Sequence, residues 1–289
     1  MAASQMKASL ENLFKELFRL MKKHWIFTAF MIVLMFLNVL VILFRPQLPG
    51  ILALENPALG TYYPYYPATL LGLSIQAVFF IYTIGFFLLY RWVKTGKSVI
   101  STLLWALAFL IYGITFIGLI FQSFGFAWAN SKDPTLFFLY RQSMIWWITL
   151  MFAGIASIFT KSIKKQVIPA LFFLGIGYMW FFIGLFGFGN IEYTMYVFLY
   201  SFWVPVCAAI AYFFYMYGRN GKVASPKIIA FGFAMLGITY LAWSAWHIAA
   251  VMYVYFLWFF TFDISLTIIL LGYVVLPYEM KAKAKTEEE

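Results

Sequence analysis

The chain alternates between long apolar segments and short polar connections. Each apolar segment is close to the roughly twenty residues that an α-helix needs to cross a bilayer. The last two segments have no Gly, Pro or Asn between them, but a single helix of about fifty residues would be about 75 Å long, against a bilayer core of roughly 30 Å. We therefore predict a turn between Trp246 and Met252. The pattern predicts eight transmembrane helices, over about 26–44, 68–90, 99–123, 139–160, 167–188, 194–217, 228–247 and 252–276.

The composition agrees with this pattern. Hydrophobic residues make up 65% of the 289 residues and charged residues 10%, whereas soluble domains have roughly half and a quarter. A soluble fold of this length could not bury so much apolar surface and still present a polar exterior. The predicted fold class is an all-α polytopic membrane protein, with its transmembrane helical domain over 26–278.

The basic residues follow the predicted spans. All but three of the 20 Lys and Arg residues lie before the first span or after the second, fourth, sixth and eighth; the exceptions are Arg45, Lys132 and Arg141. Loops retained in the cytoplasm are enriched in Lys and Arg. The alternation predicts both termini inside the cell and a multi-pass protein of the plasma membrane. It also accounts for the net charge of +10 without a nucleic-acid partner.

The two ends of the chain are polar. Over residues 1–25, Leu10, Leu13, Phe14, Leu17 and Phe18 recur at helical spacing beside lysines and an arginine. This pattern predicts an amphipathic helix that lies in the membrane interface and contacts membrane lipids. A surface helix packed on the loops of this protein is the alternative. Residues 279–289 predict a solvated, disordered cytoplasmic tail.

Two stretches of the sequence resemble each other. Residues 86–116 and 212–240 both contain an aromatic-rich span end, a basic loop with Gly-Lys, and then Gly-Ile-Thr followed by an aromatic residue. The match pairs spans two and three with six and seven. It favours a parallel 4+4 internal repeat, with halves at 26–165 and 166–278, an arrangement found in some transporters. Chance similarity between apolar segments is the rival explanation.

One carboxylate lies inside a predicted span. Asp263 is near the middle of span eight. At this depth, insertion of an ionised Asp into the membrane costs about 2.5–3.5 kcal/mol of free energy. Asp263 can serve as a site for a proton, a cation or a polar group of a ligand. Alternatively, it can be a neutral acid that joins helices through hydrogen bonds. Counting depth from the span ends predicts a ligand-binding set around Asp263 of Asn38, Gln76, Thr239, Tyr240 and Thr267.

Other chemistry is not indicated. The chain has one cysteine and two histidines, and it has no nucleophile–base–acid set, paired carboxylates or phosphate-binding loop. We therefore expect no catalytic residues, no metal and no cofactor, and we expect that the protein is not an enzyme. Pro205 lies within span six and predicts a structural kink.

Three functional classes remain open. The first is a transporter-like protein that binds a small apolar, lipid-like or aromatic ligand at Asp263. The second is a sensor or receptor that signals through its basic loops to a cytoplasmic partner protein. The third is a non-catalytic subunit of a larger membrane complex.

Overall fold

The computed structural model describes residues 22, 66–96, 98–123, 134–183, 198–249 and 252–288, and all regular structure within these ranges is helical. The predicted interfacial helix over 1–25 and the first predicted span lie outside these ranges, apart from Lys22. A π-helical turn, Leu199–Trp203, leads directly into the fifth described helix. The helices are α1 Tyr66–Lys94, α2 Ile100–Ser123, α3 Pro134–Phe159, α4 Ile163–Ile183, α5 Val204–Asn220, α6 Ser225–Ala249 and α7 Met252–Glu288.

The helices are long and apolar enough for a membrane. Five described segments could each cross a bilayer, and a sixth, Ser225–Leu241 of α6, is apolar but shorter. The molecule is therefore a helical, membrane-embedded protein. The five segments are Gly72–Lys94, Ile100–Gly118, Gln142–Phe159, Leu199–Asn220 and Trp258–Ala282.

The helix ends test the predicted boundaries. The predicted turn between the last two spans lies where α6 ends at Ala249 and α7 begins at Met252. The prediction of a disordered tail is wrong, because α7 continues to Glu288. Ala, Lys and Glu, which make up most of this tail, are strong helix formers, so the helix extends beyond its apolar part.

The connections after α1 and α5 have similar backbone geometry. Thr95 N donates to Arg91 O (3.0 Å) and Gly221 N donates to Tyr217 O (2.9 Å). A residue with positive φ follows in each, Gly96 at 67° and Lys222 at 51°. Glycine adopts this conformation without steric penalty, whereas lysine does so at some cost. Both connections thus reverse the chain within a few residues.

Helices α6 and α7 approach each other closely through glycines. A Cβ atom at Gly232 would lie 2.6 Å from Ile269 Cγ1, and one at Gly272 would lie 2.4 Å from Ile229 Cγ1. Glu279 of α7 joins the two helices at the end of the pair that carries Lys227 and Lys281. Its carboxylate accepts hydrogen bonds from the amide of Ser225 (2.8 Å) and from the Ser225 hydroxyl, which are at the first residue of α6. The carboxylate thereby satisfies a backbone donor that helix starts leave free.

Helix α4 is attached differently. It packs along α3, where Phe152 and Phe173 stack with ring centroids 3.8 Å apart. Its opposite face is exposed, with Ile168 66% and Phe172 60% accessible. In a membrane protein such a face meets lipid or another protein. Helix α4 therefore forms an edge of the described bundle.

Candidate functional site

Seven aromatic side chains from five helical elements meet in the interior of the bundle. They are contributed by α2, α3, the π-helical turn, α6 and α7, and each is at most 1% exposed. We call this group the central cluster. Its members are Tyr112, Phe116, Trp147, Trp203, Tyr240, Trp258 and Phe262.

The rings of the central cluster are in direct contact. The centroids of Trp147 and Trp203 are 4.7 Å apart, and Trp203 stacks on Tyr112 at 5.4 Å. On the α7 side, Phe262 contacts Phe116 at 4.9 Å. Aromatic pairs of this kind contribute about 0.5–1.5 kcal/mol each beyond the burial of their area. The cluster is therefore a major contact between the α2–α3 part of the molecule and α5–α7.

The central cluster contains polar atoms. The hydroxyl groups of Tyr112 and Tyr240 share a hydrogen bond between α2 and α6. Among the described residues, the buried Nε1 atoms of Trp147 and Trp203 have no hydrogen-bond partner. An unsatisfied buried donor costs about 1–3 kcal/mol. Two such donors, on stacked rings, could bind an acceptor atom that the described residues do not provide.

The backbone that carries Trp203 is irregular. The amide of Val204 donates to the carbonyl of Leu199, which is a π-helical bond. Pro205 follows, has no N–H to donate, and its ring clashes with the carbonyl four residues earlier. The wider π-turn accommodates this proline, so the irregularity predicted at Pro205 takes the form of a π-helical segment. Such segments occur often at functional sites.

Asp263 lies on α7 directly after Phe262 and has no accessible surface. On α6, the contacts of Thr239 and Gly232 with α7 fall on either side of it, so Asp263 is opposite the middle of α6. Thr267 is close to it but donates its hydroxyl to the backbone carbonyl of Asp263 (2.8 Å). Asp263 and Thr267 are thus adjacent on α7, but the Thr267 hydroxyl contacts the backbone of Asp263 and not its carboxyl group.

The two predicted residues of α6 have different roles. Thr239 Oγ1 is 2.9 Å from Met235 O and 3.3 Å from Thr261 Oγ1, so it links α6 to α7. Tyr240 belongs to the central cluster, and its ring centroid is 5.6 Å from that of Trp258. The structure therefore places Tyr240 in the central cluster and Thr239 in the contact between the two helices.

Gln76 and Asn38 complete the predicted set. Gln76 lies on α1, which packs against α7, and is 6% exposed. It is a buried polar side chain on a helix next to that of Asp263. Asn38 lies outside the described residues.

Sequence reasoning missed most of the central cluster. Phe116, Trp147 and Trp203 carry no charge, and aromatic residues make up 23% of the chain, so their type alone did not distinguish them. The buried hydroxyls of Thr115 and Ser143 are hydrogen bonded between α2 and α3, close to the cluster in sequence. In the sequence, only polar residues such as these, at similar depths on neighbouring spans, could have indicated the position of the cluster.

Within the described ranges, no group of three or more His, Cys, Asp or Glu residues is arranged to hold a metal ion. Comparisons of the chain with protein-family models, with curated proteins and with solved structures found no match.

Proposed function

We propose that this membrane protein is transporter-like and binds a small, largely apolar or aromatic ligand beside Asp263. The single observation that carries the proposal is a fully buried carboxyl group on α7, directly after Phe262 of the central cluster. Ionisable side chains inside a membrane are expensive and usually serve a function. The alternative is that Asp263 is a neutral acid that joins helices through hydrogen bonds. In that case, replacing Asp263 would not change ligand binding.

The chemistry of the site suggests the type of ligand. Asp263 would bind a hydrogen-bond donor or a cation, and the indole N–H groups of Trp147 and Trp203 would bind an acceptor. The surrounding rings would enclose an apolar or aromatic body. A flat molecule with an amine or hydroxyl group and one acceptor atom fits all three requirements.

The π-helical turn offers a way to admit the ligand. The rings of the central cluster are in contact, so binding requires at least one of them to move. Trp203 is the last residue of the π-helical turn Leu199–Trp203. The hydrogen bond of this turn joins residues five positions apart, so the turn is wider than that of an α-helix. Conversion of this turn would rotate Trp203 relative to Trp147. We infer that this segment is the moving part of the site.

A parallel 4+4 repeat is part of the proposal. In α2, a Cβ atom at Gly113 would meet Tyr82 of α1 at 2.7 Å, and in α6, one at Gly237 would meet Cys207 of α5 at 3.2 Å. In both motifs the isoleucine after the glycine is exposed and the threonine and aromatic residue are buried. This correspondence favours duplication over chance similarity.

Such a repeat would place the central cluster between the halves. Tyr112 and Trp147 belong to the proposed first half, whereas Tyr240 and Trp203 belong to the second. Binding sites of transporters with internal repeats lie at this type of interface. The eight spans, the cytoplasmic termini and the plasma-membrane location remain parts of the same proposal, as does a non-enzymatic role.

The test compares the wild type with Asp263→Asn and with Ser265→Ala. Ser265 is also fully buried on α7, but its hydroxyl donates to Thr261 O (2.6 Å), away from the proposed ligand. Native mass spectrometry would detect bound small molecules. Melting temperatures would be measured with tyramine and with 3-(4-hydroxyphenyl)propionic acid, which match in size and in their phenol acceptor but differ in charge.

We expect the amine to stabilise the wild type and the Ser265→Ala variant, and to have no effect on Asp263→Asn. Equal responses in all three proteins would contradict a ligand site at Asp263. A co-purifying protein subunit together with no ligand response would favour the sensor or subunit alternative.

A further inference from the structure

Helices α4 and α5 both contact α3, and we call the surface that these three helices form between α4 and α5 the groove. On one side, Phe173 of α4 stacks on Phe152 of α3. On the other side, Phe213 of α5 contacts Phe159 of α3, with ring centroids 5.6 Å apart. Phe173 also contacts Phe202 of the π-helical turn, with ring centroids 6.2 Å apart. The basic end of the groove is where α3 ends at Phe159, α4 begins at Ile163 and α5 ends at Asn220.

The sides of the groove are apolar and exposed. Phe159 is 73% accessible and Ile163 is 74% accessible, although both are large and apolar. On the α5 side, Tyr212 is 66% accessible. Tyr217, which stacks on Phe213 at 6.3 Å, continues the apolar surface towards the basic end. An acyl chain could lie against this surface.

Four exposed cations lie at the basic end of the groove, three of them between the end of α3 and the first turn of α4 and one in the last turn of α5. They are Lys161, Lys164, Lys165 and Arg219. No Asp or Glu occurs within α3, α4 or α5, so these helices provide no charge of opposite sign. The connection that carries the lysines is ordered by hydrogen bonds, from Gln166 Nε2 to Thr160 O (2.7 Å) and from Ser162 N to the Thr160 hydroxyl (3.1 Å).

The start of α6 has similar charges but a different environment. There, the exposed Lys222 and Lys227 flank Ser225 in the chain, and the Ser225 amide donates to the carboxylate of Glu279 (2.8 Å). The protein thus supplies its own anion at that connection. At the connection between α3 and α4, the described residues include no carboxylate in contact with the lysines. An anion from outside the chain would complete it.

We propose that this groove binds one anionic phospholipid. The phosphate headgroup contacts Lys161, Lys164, Lys165 and Arg219, and an acyl chain lies along Phe159, Phe213 and the exposed face of α4. The occupant is a lipid and not free phosphate, because the cations continue directly into an exposed apolar surface. This site is separate from Asp263 and does not depend on the function proposed for it.

The test uses the full-length protein in detergent, titrated with phosphatidylglycerol and followed by native mass spectrometry. Phosphatidylcholine with the same acyl chains tests the headgroup charge, and inorganic phosphate tests whether the phosphate group alone is enough. The double variant Lys164→Gln/Lys165→Gln removes two charges from the groove. The matched control Lys94→Gln/Lys281→Gln removes two exposed charges elsewhere. A third variant, Phe213→Ala, alters the apolar wall and keeps all the cations.

Each basic residue near a lipid surface changes anionic lipid affinity by about fivefold. We therefore expect Lys164→Gln/Lys165→Gln to weaken phosphatidylglycerol binding about 25-fold and the control to weaken it less than twofold. Phe213→Ala should weaken both lipids similarly, while phosphatidylglycerol remains preferred. Equal losses in the two double variants would overturn the proposal. Equal binding of the two lipids, or displacement of the lipid by inorganic phosphate, would also overturn it.

Discussion

The α6–α7 pair and helix α4 are both held by a neighbour in the chain, but to very different degrees. At Gly232 and Gly272 of the pair, the facing backbone amides of Ile269 and Ile229 lie only 3.0 Å from where a Cβ atom would be. Glu279 also joins the basic ends of the two helices. Helix α4 makes its principal contact with α3 and leaves its other face exposed.

This difference shows where each proposed activity belongs. A buried carboxyl such as Asp263 is tolerated only where its surroundings are rigid enough to keep it from lipid. The α6–α7 pair provides such a support. A lipid, in contrast, needs an accessible surface, which the edge at α4 provides. The predictions below test how far stability depends on the first region and not on the second.

The largest expected effect is that of Gly232→Leu. The new side chain would collide with Ile269 and with the carbonyl of Ser265 and would separate α6 from α7. Because overpacking costs typically 1–3 kcal/mol and often more against backbone, we expect a melting temperature at least roughly 5 °C lower, measured by thermal unfolding in detergent.

The matched control is Gly175→Leu on α4, where a Cβ atom would have no neighbour within 4 Å. This change should leave the melting temperature within about 1 °C of the wild type. Equal destabilisation by both substitutions would remove the distinction between the two regions.

The second effect is that of Glu279→Ala, which removes the acceptor of the Ser225 amide. Loss of a helix-capping acceptor costs about 0.5–2 kcal/mol. Hydrogen exchange measured by mass spectrometry should become faster at the start of α6 and remain unchanged at the start of α4. Glu279→Gln keeps one acceptor oxygen and should have a smaller effect. Unchanged exchange in Glu279→Ala would show that the carboxylate does not stabilise this end.

The third effect is that of Phe173→Ala, which removes the ring that stacks on Phe152. A fully buried Phe costs about 3–5 kcal/mol when truncated, but Phe173 is only partly buried. We expect faster hydrogen exchange confined to α4 and a small change in melting temperature. Faster exchange that extended into α6 and α7 would show that α4 unfolds together with them.

The smallest effect on stability is expected from Trp203→Phe. This substitution keeps an aromatic ring in the central cluster and removes an N–H group that has no partner among the described residues. The melting temperature without ligand should therefore change by less than about 2 °C, because a lost unsatisfied donor offsets lost packing. Stabilisation by tyramine should decrease, because the substitution removes the indole N–H that is proposed to donate to the hydroxyl oxygen of the ligand. A large destabilisation with unchanged ligand response would assign Trp203 to packing alone.

The sequence by itself determined the helical, membrane-embedded class and the positions of most described helices. The ends of the predicted spans over 68–90, 99–123 and 139–160 differ by at most five residues from the ends of α1, α2 and α3. These positions follow from the length of apolar runs and the placement of Lys and Arg, both of which are local properties. The same local reasoning located Asp263 inside the last apolar helix.

Only the tertiary structure decided which side chains meet. A helix that is apolar on every side has no polar stripe to show which face turns inward, so the sequence could not select Trp147 or Trp203 among the many aromatic residues. For the same reason, the sequence could not show that the hydroxyl groups of Thr239 and Thr267 donate hydrogen bonds to backbone carbonyls of their own helices. The rotation of each helix about its axis is set by close contacts such as that of Gly232 with Ile269. Those contacts arise between residues far apart in the chain, and they bring Tyr112 and Tyr240 together in the central cluster.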